Sequence, residues 1–172
     1  MTYLAITVLG HDRPGIIAQT AEVLAEAGMN LEDSSMTLLR GHFAMTLICS
    51  GDAAAGAVAS ALAPLEADGS LTVSVREMPP EPENVHTGSP YLVTVHGADR
   101  LGIVAQLAGV VADAGGNITD LTTRLAAGLY VLVAEVDLPT DVAVAELQST
   151  LAEVAAGLGV EAGLRPMERD EL

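Results

Sequence analysis

The chain reads as an α+β protein of two βαββαβ modules, each a ferredoxin-like, antiparallel four-stranded sheet with two helices on one face. Three observations predict this. Residues 4–49 align without a gap on residues 91–136, and roughly 18 of 46 aligned positions are identical. In each copy the apolar pattern switches between periods of 2 and 3.6 in the order strand, helix, strand, strand, helix, strand. Between the copies, residues 78–90 hold four of the eight prolines and no periodicity. A repeat offset of 87 residues is too long for a solenoid unit and right for a small domain. Module 1 is therefore expected over residues 1–78, a proline-rich linker over 79–90, module 2 over 91–167 and a frayed tail over 168–172.

In module 1, residues 3–9 are rich in β-formers and close on Gly10, which reads as a turn. From Pro14 the spacing turns helical through Ile16, Ile17, Thr20, Val23, Leu24 and Ala27, and Gly28 stops the helix. Residues 30–39 and 42–50 read as strands flanking a turn at Gly41. A helix follows over 53–65, with Pro64 near its end, and the alternation over 71–77 gives a fourth strand. Module 2 repeats the series: strand 91–96, helix 101–114, strands 117–126 and 129–136, helix 142–156 after Thr140 as N-cap, and strand 160–165. Right-handed crossovers put the first and third strands at the centre of each sheet. The second and fourth are left as edges, open to pairing with a twin module or a second chain in a homodimer.

Composition narrows the function. Seven basic residues against 23 acidic ones, a net charge of −16, leave no surface to neutralise a run of phosphates. With 2% aromatic residues there are few rings on which unpaired bases can stack, so direct nucleic-acid binding is not expected. No apolar run approaches the 18 residues of a membrane span. The N-terminus carries no basic residues before its short apolar run and reads as a strand, which predicts a cytoplasmic protein without membrane association. Cys49, the single cysteine, sits in an apolar alternation and reads as core.

The repeated segment Gly10-His11-Asp12-Arg13-Pro14-Gly15-Ile16 returns as Gly97-Ala98-Asp99-Arg100-Leu101-Gly102-Ile103. It stands where the first strand hands over to the first helix, whose opening amides lack internal partners and attract anions. Gly15 and Gly102 strip side chains from this turn and let a ligand or another backbone approach. Asp12 and Asp99 can cap the helix or accept an ammonium group. A second repeated element, Gly28-Met29-Asn30 and Gly115-Gly116-Asn117, ends that helix. The Asn amides can stabilise the turn or bind a small polar ligand. His11-Asp12 has the look of a metal pair, but no other histidine stands at ligand spacing and the twin has Ala98, so no metal is expected. No nucleotide loop or nucleophile elbow is present, and neither enzyme activity nor a cofactor is expected.

These residues carry a resemblance. An Asp-Arg-Pro-Gly loop opening a helix, a Gly-x-Asn after it and a duplicated βαββαβ order resemble the ACT domain, an amino-acid-sensing regulatory module. The tandem arrangement resembles the glycine cleavage system transcriptional repressor family. The resemblance implies edge-strand pairing and a small amino acid bound between the first loop of one module and the Asn of the other. One site would combine Gly10, His11, Asp12, Gly15 and Ile16 with Asn117. The other would combine Gly97, Ala98, Asp99, Gly102 and Ile103 with Asn30. It also implies a protein partner, either a transcription factor or, in the alternative reading, the catalytic subunit of a biosynthetic enzyme such as acetohydroxyacid synthase. The exchanges His11 to Ala98, Pro14 to Leu101, Met29 to Gly116 and Glu32 to Thr119 predict that the two pockets differ.

Overall fold

The computed structural model describes residues 1–79 and 88–168, and the chain divides into two compact units, Met1–Pro82 and Glu83–Leu172. Most of the expected linker and the tail beyond residue 168 lie outside the described residues.

In the first unit β1 (Thr2–His11), α1 (Ile16–Glu26), β2 (Asn30–Leu39), β3 (His42–Gly51), α2 (Ala55–Leu62) and β4 (Leu71–Met78) follow in order. The second unit repeats them as β5 (Ser89–Ala98), α3 (Ile103–Asp113), β6 (Asn117–Ala126), β7 (Leu129–Leu138), α4 (Val144–Leu158) and β8 (Val160–Pro166). The sheet orders are β2-β3-β1-β4 and β6-β7-β5-β8, all neighbours antiparallel, with first and third strands central as the crossover rule requires.

Alternation sets the core. Leu4, Ile6 and Val8 of β1 and Phe43, Met45, Leu47 and Cys49 of β3 point to the helix-covered face, where they meet Ile16 and Leu24 of α1 and Val58 and Leu62 of α2. Module 2 builds the same layer from Val93, Val95, Leu132, Val136, Ile103, Leu107, Leu147 and Leu151. Each β2-type strand joins its neighbour through a two-residue hairpin. Arg40 and Gly41 (φ 50° and 82°) and Ala127 and Gly128 (φ 51° and 80°) all take the left-handed conformation that a type I′ turn demands. β2 and β6 each carry one register slip at the matching place, between Leu31 and Asp33 and between Ile118 and Asp120.

The structure differs from the sequence reading at several ends. Gly10 and Gly97 are not turns; β1 and β5 run through them, and His11 N–H still donates to Ser70 O at 2.9 Å. A Cβ on Gly10 would lie 2.0 Å from Ser70 O, and one on Gly97 would lie 2.8 Å from Val160 Cγ1. Glycine is there because a neighbouring strand passes too close for any side chain. The helix over 53–65 begins at Ala55 and breaks at Leu62, where Pro64 turns residues 63–66 into a 3-10 segment. Thr140 does not cap α4, which starts from Ala143 without a side-chain cap.

One pair of sequence differences proves to be a single packing exchange. Met29 and Gly51 of module 1 correspond to Gly116 and Leu138 of module 2. A Cβ on Gly51 would meet Met29 Sδ at 2.5 Å, and one on Gly116 would meet Leu138 Cδ2 at 2.8 Å. The same space is filled from the helix exit in one module and from the strand end in the other. The Met29-to-Gly116 exchange therefore serves the core.

Candidate functional site

The loop from β1 to α1 is four residues long, and its conformation follows from one glycine. Gly15 is the residue before α1, left-handed at φ 93° and ψ −3°, and no side chain caps the helix. Gly102 holds the matching place before α3 at φ 92° and ψ 2°, again uncapped. The two loops thus enter their helices with the same backbone. Neither Asp12 nor Asp99 acts as the cap that its position allowed. Gln19 N–H reaches Gly15 O at 2.9 Å, so the amides of Ile16, Ile17 and Ala18 lack intrahelical acceptors. A Cβ on Gly15 would have only Gln19 Nε2 within 4 Å, at 3.8 Å, so the space above the first turn is open.

In module 1 that space is a cleft of about 400 Å³. Asp12, Arg13 and Gly15 line it from the loop, Ile16, Ile17 and Ala18 from α1, and Met36 and Phe43 from β2 and β3. Its walls are largely apolar, and its ionic groups are Asp12 and Arg13. The Asp12 carboxylate makes no hydrogen bond or ion pair among the described residues, so it is free to meet a cation. Its backbone amide leans on Gly41 O of the hairpin at 3.4 Å, a long contact that ties loop to turn.

Arg13 is committed elsewhere. Its Nη1 donates to Gln19 Oε1 at 3.2 Å, and its Nε lies 4.0 Å from Asp68 Oδ2. Hydrogen bonding from Ser70, with Arg13 alongside, holds the Asp68 carboxyl below the usual carboxylate range. Arg100 stands at the matching place of the second loop but has no such partner among the described residues. The loops enter their helices with the same backbone and differ in the contacts of their arginine. Leu101, in the place of Pro14, is fully exposed.

His11 does not line the cleft. Alternation along β1 puts it on the helix-free face of the sheet, opposite His42, with ring centroids 5.2 Å apart and planes 30° from parallel. Ala98 and Leu129 hold those positions in module 2.

Asn30 and Asn117 are exposed at the first residues of β2 and β6. Asn30 faces Ser50, whereas the loop leaves β1 beside His42, so eight residues of β3, about 27 Å, separate them within one module. In module 2 Asn117 faces Asp137 and Ala98 faces Leu129, again eight residues apart. No module brings its own loop and its own Asn together.

Sequence reading missed Met36, Phe43, Asp68 and His42. The repeated Ala18-Gln19 and Ala105-Gln106 was a usable signal for the Gln19 contact; Asp68 has no counterpart and gave none.

Comparison with known proteins bears on this geometry. A family model described as the ACT domain matches residues 2–76 and again residues 89–164. The chain is 52% identical over 48 residues to a UPF0237 protein of Methanopyrus kandleri, covering 28% of this chain and 53% of that one. It is 32% identical over 102 residues to the glycine cleavage system transcriptional repressor of Escherichia coli, covering 53% of this chain and 54% of that one. The chain thus spans about half the length of the curated relatives it matches. A crystal structure of an unknown protein from Galdieria sulphuraria superposes with TM-score 0.79 at 28% identity, over 97% of this chain and 99% of the other. A candidate glycine cleavage system transcriptional repressor superposes with TM-score 0.69 at 20% identity over 98% of each chain, a likeness of fold alone.

Proposed function

This chain belongs to the ACT-domain family, and from that premise we propose that it is a non-enzymatic regulatory protein that senses a small amino acid. The ligand carboxylate lies against the first-turn amides of α1 or α3, and its ammonium group faces Asp12 or Asp99. Asn117 completes the site of the first loop and Asn30 that of the second, each supplied by the other module, within a chain or across a homodimer. The observation that carries this reading is the pair of uncapped, conformationally matched loops, each with a carboxylate, Asp12 or Asp99, that has no partner among the described residues beside first-turn amides without intrahelical acceptors. The eight-residue separation of loop and Asn in both modules supports a shared site, because neither module can complete one alone.

The output goes to a protein. A net charge of −16 opposes direct contact with DNA, and similarity to the Escherichia coli repressor favours transcriptional control of glycine metabolism as the setting. The purified protein is expected to show no affinity for duplex DNA at physiological salt; sequence-specific retardation by the protein alone would overturn that route.

A thermal-shift screen of the twenty amino acids tests the ligand. Saturation at a hundred times Kd stabilises a one-site protein by about 2.7 kcal/mol, which at this length raises Tm by about 5 to 10 °C. Asn117→Ala and Asn30→Ala should each remove the shift of one site and leave the unliganded Tm nearly unchanged. A ligand that shifts wild type and both variants equally sinks the shared site.

A further inference from the structure

We propose that module 1 carries a binding site for one divalent transition-metal ion, formed by His11 and His42 on the helix-free face of its sheet. This site is separate from the amino-acid cleft and does not rest on the reading of that cleft.

The two residues are direct cross-strand partners on β1 and β3, so their Cβ atoms stand about 4.5–5.5 Å apart. Their rings already lie side by side, with centroids at 5.2 Å and planes 30° apart. Neither imidazole has another hydrogen bond or ion pair among the described residues, and both side chains are exposed, so ring nitrogens and entry path are open. Metal–imidazole bonds of about 2.0–2.1 Å at 90–109° need the two nitrogens roughly 3 Å apart. The Cβ–Cγ torsion of histidine is broad, and rotating both rings about it turns a nitrogen of each toward a common point at little cost. The backbone pairing fixes the bases of the two ligands beforehand.

Imidazole pairs suit Cu²⁺, Ni²⁺ and Zn²⁺ rather than Mg²⁺ or Ca²⁺, with water filling the remaining positions. The protein's net charge of −16 raises the local concentration of any cation. The chain contains its own control. Ala98 and Leu129 occupy the same register positions in module 2, so the ratio is one ion per chain, not two.

Isothermal titration of untagged, chelator-stripped full-length protein with Cu²⁺ and with Zn²⁺ tests the site. One ion per chain is expected, bound in the micromolar range, with Cu²⁺ the tighter. Loss of an outer-shell partner alone costs about 10- to 100-fold in metal affinity, so His11→Ala and His42→Ala, which remove ligands, should each weaken binding at least about tenfold. His86→Ala and His96→Ala should leave it unchanged. Absence of saturable binding, binding that follows His86 or His96, or a stoichiometry of two overturns the proposal. A His42→Ala protein that melts earlier yet binds the ion as well as wild type also overturns it, showing the stacked pair to be a strand contact only.

Discussion

Gly10 and Gly15 are five residues apart, and glycine is required at each for a different reason. At Gly10 a methyl group would enter the backbone of the β4 approach, 2.0 Å from Ser70 O. At Gly15 the space is open and only the left-handed φ of 93° resists a side chain. Gly10→Ala is therefore expected to cost about 2–4 kcal/mol in urea denaturation, against about 1–2 kcal/mol for Gly15→Ala. Cys49 makes a chemical prediction at the same scale. It is fully buried, and burial, with the Glu32 carboxylate adding to it, pushes its thiol above the ordinary range. A raised folded pKa favours the neutral thiol in the folded state. Its contribution to stability is fully present below the unfolded value, about 8.5, and is lost as pH rises through the folded one. Iodoacetamide should label Cys49 only at the rate at which the protein opens; rapid labelling of native protein at neutral pH would contradict the burial. Core placement of Cys49 was legible in sequence because alternation along a strand is local. The contact that fixes Gly10 was not, since Ser70 is 60 residues away and nothing in the sequence near Gly10 announces it. His42 escaped for the same reason: register between strands creates the pair.

The exchange between Met29 with Gly51 and Gly116 with Leu138 gives an element-scale test, because the two modules already display both solutions. Gly51→Leu alone overfills the joint between helix exit and strand end, at a cost of about 1–3 kcal/mol, and Met29→Gly alone empties it. The double variant should recover stability, with a coupling of about 0.5–3 kcal/mol in a double-mutant cycle. Strict additivity would mean that the two residues do not share the space. The hairpins offer a second test. Ala127 holds φ 51° without a side chain suited to it. Ala127→Asn should stabilise module 2 by about 0.5–1 kcal/mol, measured as a rise in denaturation midpoint. Element order and these hairpins were readable because each depends on a few neighbouring residues. Helix starts were less so. Pro14 and Thr140 have the right chemistry to open a helix, yet α1 and α4 begin at Ile16 and Val144, neither with a side-chain cap.

At the scale of the whole molecule, the duplication yields near-copies with separate electrostatics. Arg13 donates to Gln19 and lies 4.0 Å from Asp68, whereas Arg100 has no such partner among the described residues. Replacing Arg13 by Ala should cost about 0.5–1 kcal/mol through lost loop contacts, while Arg100→Ala should be neutral to folding. Equal losses in chemical denaturation would show that the asymmetry has no energetic content. The sequence disclosed both loops because they repeat, but it could not disclose that one arginine is clamped, because the clamp comes from a segment outside the aligned repeat.

The central position of β1 has a consequence for the making of the chain. Tyr3 pairs with Met78, so the first strand acquires its second neighbour only after 75 further residues exist. At about 5–20 residues per second of synthesis, that is a wait of roughly 4–15 seconds with one flank of an apolar strand unpaired. Tyr91 and Pro166 impose the same delay on β5. During the second wait a finished sheet and an unfinished near-duplicate of related sequence share one polypeptide. The first module must therefore close before the second emerges, or the nascent chain risks trading strands with itself.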